Sequence, residues 1–254
     1  MYFPGKNDIM ILHAAIQDAV YFEGRKGIAD MPNQVIYLMY STVVKLIVLL
    51  TALPLHECAH AWVADKLGDH TARYQGRLTL NPLRHLDPMG AILMLVAGFG
   101  WAKPVPINAR NFRNPKQGMA LSAAAGPLSN LLLAYVCAIL YKVTAYAGLG
   151  LGDSWMLSSL SDVFYLMMSL NVGLAVFNLL PIPPLDGSRL FTVFLPPRQY
   201  FQLMRYERYI QIALFAAIFL GLLNRPLAII ESWVYQGFDF LTGFVDIIAR
   251  ALLL

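Results

Sequence analysis

Long apolar runs separated by short polar stretches dominate this chain. The first run covers residues 35–67, VIYLMYSTVVKLIVLLTALPLHECAHAWVADKL, and residues 119–141 and 163–181 form the second and third. A helix of about 20 residues crosses a hydrocarbon core of about 30 Å, so each run is long enough to span a membrane. The pattern therefore predicts membrane-spanning helices at these three positions.

The later apolar regions are less regular. Residues 209–223 predict a fourth span, which can extend backwards through the aromatic run that begins at Tyr200. The tail, residues 227–254, carries four charged side chains and predicts either a fifth span or an interfacial helix. Residues 89–101 are apolar but too few to cross as a helix, which indicates a re-entrant or buried segment.

These elements predict an all-α polytopic membrane protein with four to five transmembrane helices. A short re-entrant or interfacial segment with a possible small β element completes the expected fold. We expect an amphipathic, interfacial N-terminal segment over residues 1–34, with a short surface helix at 9–22. Residues 35–225 form the expected core, and residues 226–254 the C-terminal helix.

Composition supports a membrane protein. Hydrophobic residues make up 58% of the chain and charged residues only 13%, about half the charge of a typical soluble domain. Mean hydropathy is +0.56. This excludes a disordered chain, and the two cysteines, Cys58 and Cys137, lie in apolar stretches and do not support a secreted disulfide scaffold.

The placement of basic residues orients the predicted spans. Lysine and arginine are concentrated between the first and second spans and after the third, whereas residues 142–162 and 224–226 carry one basic residue each. By the positive-inside rule the two basic loops are cytoplasmic. The residues of these loops are Lys66, Arg73, Arg77, Arg84, Lys103, Arg110, Arg113, Lys116, Arg189, Arg198, Arg205 and Arg208.

The first span contains an HExxH pentad, His56-Glu57-Cys58-Ala59-His60. Residues four apart on a helix differ by about 40° in direction and about 6 Å in height, so both imidazoles can reach one ion. Two histidines hydrogen-bonded inside a helix are the alternative interpretation. Three ionisable groups in one apolar turn favour a divalent cation as their common partner.

A catalytic zinc ion needs a third protein ligand and an open position. The best candidate is Asp186, in the segment NLLPIPPLDG that follows the third span. Proline and glycine predict irregular backbone there, which is tolerated near a membrane where it lines an enclosed cavity. Alone, the segment would be interpreted as a proline-rich loop with an Asp-Gly turn.

Taken in order, these motifs resemble the site-2 protease family of intramembrane zinc metalloproteases. The similarity is greatest to its short bacterial branch, which has no PDZ or CBS domain, and it covers residues 45–225. Further segments that carry the resemblance are LGDHTA at 67–72, LTLNP at 78–82, WAKPVPIN at 101–108 and GPLSN at 126–130.

The resemblance implies that His56, His60 and Asp186 ligate one zinc ion and that Glu57 is the catalytic base. It also implies that three further residues form or support the cleft, with the asparagine amides available to a substrate backbone or oxyanion. These are Gly126, Asn130 and Asn178. Residues 73–83 are expected to offer an edge strand to an extended substrate.

The function expected is hydrolysis of a peptide bond in or near the transmembrane segment of a membrane-protein substrate. The expected partners are that segment and the lipid bilayer, not nucleic acid. We expect a bacterial cell membrane, with the active site nearer the cytoplasmic side. A metal-binding or metal-transporting membrane protein without proteolysis is the alternative, and an inactive homologue acting as an adaptor is a third hypothesis.

Overall fold

The computed structural model describes residues 31–97, 102–151, 155–196 and 205–253, together with residues 199 and 203. Over these residues the chain is helical, which confirms the all-α fold class. The helices are α1 Met31–Lys66, α2 Thr71–Tyr74, α3 Pro88–Ala97, α4 Pro115–Leu151, α5 Trp155–Asn178, α6 Asp186–Phe191, α7 Glu207–Phe219, α8 Asn224–Leu241 and α9 Gly243–Leu253.

The chain divides into two units, Met1–Val43 and Val44–Leu254. In the first unit the described residues, 31–43, are helical. The predicted interfacial segment lies outside the described residues up to residue 30, and so does the short helix predicted at 9–22. The second unit contains the predicted site residues.

Three helices are long and apolar enough to cross a membrane, over Thr42–Lys66, Pro115–Gly150 and Met156–Asn178. Helices α7 and α8 qualify only together, and they meet at an angle of 83°. The described part of the chain thus has three candidate spans, or four if this bent pair is one, where the sequence predicted four to five. Gly221, with φ of +68°, permits the turn between the two helices.

The core lies where α1, α4 and α5 meet. Small side chains of α4 (Ala134, Cys137 and Ala138) pack against Met168, Val172 and Val176 of α5. Val48, Leu49, Ala52 and Leu53 of α1 pack against Leu133 of α4 and Leu170 and Leu174 of α5. Small residues let helices approach closely in an apolar environment, where packing is a main source of association.

The short apolar segment predicted to be re-entrant forms α3, which has only ten residues. Its flanks return to one place, because Leu86 and Ala102 form an isolated antiparallel bridge and the Lys103 N–H donates to the carbonyl of His85 at 2.7 Å. A segment that enters and leaves side by side does not cross. This bridge is the small β element within the described residues.

The prediction of an edge strand over residues 73–83 is wrong. The region begins in α2, turns at Gly76 with φ of +65°, and ends in a 3₁₀ turn over Pro82–Arg84. The Asn81 side chain caps this turn by accepting from the Leu83 N–H. Residues 77–81, between the glycine and the proline, form no strand.

Candidate metal centre

The HExxH pentad lies inside α1, within the apolar span Thr42–Lys66. The side chains of His56, Glu57 and His60 are all buried. The two Nε2 atoms of the histidines are 3.0 Å apart. One turn of helix therefore places both ring nitrogens at a single point, as the spacing of the motif predicted.

Asp186 completes the group from the first turn of α6. Its Oδ2 lies 3.1 Å from Nε2 of His56 and 3.2 Å from Nε2 of His60. The next residue makes this approach possible, because a Cβ on Gly187 would overlap the carbonyl oxygens of Leu179 and Leu180. Glycine thus lets the start of α6 lie directly on the loop that leaves α5.

These three residues form the one group of potential metal ligands in the described part of the chain. Their donor atoms make a nearly equilateral triangle. Zinc at about 2.0–2.1 Å from each ligand in tetrahedral geometry would separate the ligand atoms by about 3.3 Å. The observed separations are close to that value, and a triangle of protein ligands leaves a fourth position open.

The hydrogen bond of His60 supports this fit. Its Nδ1 lies 2.6 Å from the carbonyl oxygen of Ser122. A carbonyl only accepts, so Nδ1 carries the proton and donates it. In the neutral ring, Nε2 then presents a lone pair toward Asp186, which is the form that binds a metal.

Asp186 supplies the negative charge of the site. Its side chain is 17% exposed and lies against the rings of both His56 and His60. An ionised carboxylate facing two imidazole nitrogens is a donor set suited to zinc. The residues present therefore fit the metal that the sequence predicted.

Helix α4 lies directly against both histidine rings. A Cβ on Gly126 would lie 2.5 Å from Cε1 of His60 and 2.6 Å from Cε1 of His56. Glycine is therefore needed for α4 to contact both rings. Asn130, which is fully buried, places Nδ2 3.2 Å from Nδ1 of His56.

Glu57, which is not one of the three potential metal ligands, contacts the loop that follows α3. Its Oε2 accepts a hydrogen bond from the Val105 N–H at 3.0 Å. The buried Arg77 holds the same loop by donating to the carbonyls of Lys103 and Pro104. Glu57 is thereby fixed beside the two histidines without occupying a ligand position.

Asn178 contacts none of the three ligand residues through its amide nitrogen. That nitrogen donates to the carbonyl of Leu174, one turn earlier in α5, at 2.9 Å. The residue stands at the last turn of α5, where the loop to Asp186 begins. Its predicted role toward substrate stays a prediction.

The sequence did not indicate the backbone groups that contact the site. The carbonyl of Ser122 and the N–H of Val105 each bind a site residue, yet backbone groups have no residue signature. The segments WAKPVPIN and GPLSN were singled out as family features without these contacts. Proline on both sides of Val105 was the available signal, since it leaves one N–H in that tripeptide.

Comparison with known proteins places these residues in context. A family model described as peptidase family M50 matches residues 143–224, which include Asp186 and Asn178. The Bacillus subtilis protein named "Putative zinc metalloprotease YwhC" is 43% identical over 187 residues, which are 74% of this chain and 83% of that protein. The Mycolicibacterium smegmatis protein named "Putative zinc metalloprotease Rip2" is 35% identical over 143 residues, 54% of this chain and 52% of that protein. No solved structure matches this chain.

Proposed function

Because this chain belongs to peptidase family M50, the site-2 protease family, and is a zinc metalloendopeptidase, we propose that it cuts its substrate within the membrane. The substrate would be a membrane protein, cut in or beside its transmembrane segment. The observation that carries this proposal is the position of the site. His56 and His60 belong to an apolar helix long enough to cross a membrane, and Asp186 follows the end of another.

The depth of the site follows from helix geometry. His60 precedes Lys66, the last residue of α1, by six residues, or about 9 Å of helical rise. The loop after Lys66 is rich in basic residues, which favours the cytoplasmic side. We therefore assign the site to the cytoplasmic half of a bacterial cell membrane, with the bilayer as its surroundings.

In this proposal His56, His60 and Asp186 hold the zinc ion. Zinc in such a site supplies Lewis-acid polarisation of the scissile carbonyl and activation of water. The three side chains would hold the ion, and burial keeps bulk water away from the two histidines. Weakly solvated surroundings strengthen every electrostatic interaction made there.

Glu57 acts as the general base. Its Oε2 is held by the Val105 N–H, which leaves Oε1 to take the proton of the attacking water. The same oxygen then passes the proton to the leaving amine. Because His56 and His60 precede and follow Glu57 on one turn of α1, the base stays beside the reacting carbonyl through both transfers.

The substrate must present an unwound segment to this site. A helix hides its carbonyls in its own hydrogen bonds, so the transmembrane segment of the substrate has to open locally before attack. Asn178, at the end of α5, supports the cleft from which the Asp186 loop leaves. The partner is thus a membrane-spanning peptide that can extend near one end of its helix.

A single substitution tests the proposal. We expect Glu57→Gln to keep one zinc ion per chain and to lose cleavage of single-span peptides in reconstituted vesicles. Glu231→Gln is the matched control, since it removes another carboxylate from an apolar helix away from the site, and it should retain cleavage. Zinc content and fragment mass are measured on the same preparations.

Two outcomes contradict the proposal. Retained cleavage in Glu57→Gln would remove the role of the base. Zinc flux across the vesicle, with none of the co-reconstituted peptides cut by the unmodified protein, would favour a metal-transport function instead.

A further inference from the structure

Both histidines of the metal centre contact the same helix, α4, on one stripe. Ser122, Gly126 and Asn130 are spaced by four residues, so they lie above one another on a single face. Ser122 offers a carbonyl to His60, Gly126 leaves room for both rings, and Asn130 faces His56. The two ends of the stripe therefore face the Nδ1 atoms of the rings, while Gly126 lies against the ring edges that carry Nε2 of His60.

For His60 the stripe determines the position of the proton. The carbonyl of Ser122 accepts the Nδ1–H, and Nε2 is left with its lone pair. An acceptor behind each ring is what a metal-ligating histidine requires, because the partner at one nitrogen decides which form the other takes. His56 needs the same arrangement if its Nε2 is to bind the ion.

The amide of Asn130 is placed with its nitrogen toward His56. Nδ2 lies 3.2 Å from Nδ1 of that ring. A donor there forces Nδ1 to accept, and a neutral ring then carries its proton on Nε2. That proton would point at Asp186 Oδ2, 3.1 Å away, and would block the lone pair that a cation needs.

With the Asn130 amide in this orientation, its oxygen lacks a hydrogen bond. Oδ1 of Asn130 is buried and has no hydrogen-bond partner, although an unpaired buried acceptor costs about 1–3 kcal/mol. Amide nitrogen and oxygen have the same shape and exchange places by a half-turn of the group. That half-turn gives His56 an acceptor and gives Oδ1 a donor.

We propose that Asn130 is a positioning residue, which accepts the Nδ1–H of His56 through Oδ1 and so holds the Nε2 lone pair toward the metal. The inference rests on the ligand assignment in the proposed function. It makes α4 the common support of both imidazoles, through a carbonyl at one end of the stripe and an amide oxygen at the other.

The proposal is tested with two variants of the full-length protein in detergent. Asn130→Leu keeps the volume and removes the acceptor, and we expect zinc affinity to fall about 10- to 100-fold. Asn130→Asp offers only acceptor oxygens, and we expect affinity within a few-fold of the unmodified protein or tighter. Dissociation constants are measured by chelator competition, and the absorption spectrum of the cobalt-loaded protein reports ligand geometry.

Asn171 provides the matched control. It is a second fully buried asparagine, on α5, whose Nδ2 donates to the Met167 carbonyl and whose Oδ1 is also unsatisfied. Asn171→Leu should match Asn130→Leu in any loss of thermal stability while leaving the zinc dissociation constant unchanged. A loss of affinity confined to position 130 therefore cannot arise from packing alone.

Several outcomes overturn the inference. Unchanged affinity in Asn130→Leu would do so, and so would equal losses in the Leu and Asp variants, since an acceptor would then not rescue binding. If Asn130→Asp fails to fold, the comparison of Asn130→Leu with Asn171→Leu decides the question. Absence of zinc from the unmodified protein would instead refute the proposed function.

Discussion

Two aspartates that each lie next to a glycine in this chain differ in their partners. Asp69 follows Gly68 just after α1, and Asp186 precedes Gly187 at the start of α6. Asp69 accepts from the Thr71 N–H and hydroxyl, the Asn108 N–H and the Asn111 amide. Asp186 instead faces the Nε2 atoms of two histidines.

The two carboxylates differ in whether their partners are always hydrogen-bond donors. Each donor to Asp69 carries its own hydrogen, so the carboxylate is satisfied by the protein alone. The partners of Asp186 are nitrogens that can present lone pairs, and His60 has already committed its proton to Ser122. A carboxylate whose partners are all hydrogen-bond donors stabilises the fold. A carboxylate that faces the lone pairs of ring nitrogens instead attracts a cation.

Removing Asp186 should have the largest effect. In Asp186→Ala we expect zinc affinity to fall by more than the roughly 10- to 100-fold that loss of a ligand's hydrogen-bond partner costs. Cleavage should become undetectable. Chelator competition and fragment mass spectrometry measure these effects, and circular dichroism should show an unchanged helical content. Full zinc occupancy in this variant would refute the ligand assignment.

Filling the space at Gly126 should have the next largest effect. Gly126→Ala places a methyl group within 2.6 Å of the rings of both histidines, so at least one ring must move. A displacement of about 1 Å costs about 100-fold in rate. Gly148→Ala, on the same helix, is the control because its Cβ would make only an ordinary contact at 3.9 Å with Leu157. Equal cleavage rates in the two variants would contradict this interpretation of Gly126.

Asp69 should affect stability and not chemistry. In Asp69→Asn one carboxylate oxygen becomes an amide nitrogen, which cannot accept the hydrogen bonds that the oxygen accepted. We therefore expect the free energy of unfolding to fall by about 2 kcal/mol. The folded fraction should still bind one zinc ion per chain. Denaturation in mixed micelles and metal analysis measure the two quantities. A loss of zinc at unchanged stability would reverse the comparison.

The pH dependence of this variant sharpens the same test. Burial raises the pKa of Asp69, but hydrogen bonds from Thr71, Asn108 and Asn111 outweigh it and lower the pKa below its ordinary value. The stabilisation is therefore fully present above about pH 4, the unfolded value, and is lost as pH falls through the folded pKa. Asp69→Asn should lack this acid-dependent part of the unfolding curve.

The sequence predicted the ligand residues for different reasons. His56 and His60 follow from helix geometry, since positions four apart share a face. Asp186 lies 126 residues from His60, so helix spacing could not predict it; the irregular segment after the third span made it the best candidate, and the resemblance to a protease family then implied the same role. The structure places all three together, while their roles toward zinc and substrate stay proposals.

Other features were beyond sequence reasoning. The third predicted span began at Val163, but α5 begins at Trp155, because a helix can continue through polar residues such as Asp162 once its apolar face is packed. The prediction of a strand at 73–83 was wrong because it gave the alternation of polar and apolar residues more weight than Gly76 and Pro82. Contacts that end on backbone atoms carry no residue identity, and the Ser122 carbonyl is one of them.

The loop contact of Glu57 has a consequence for mutagenesis. Val105 stands between two prolines, so it alone in that tripeptide has a hydrogen on its nitrogen. Exchanging its side chain leaves that hydrogen in place, and an alanine scan would pass over the contact. At position 105, only an imino acid, or an ester in place of the amide, removes the hydrogen bond to the Glu57 carboxylate.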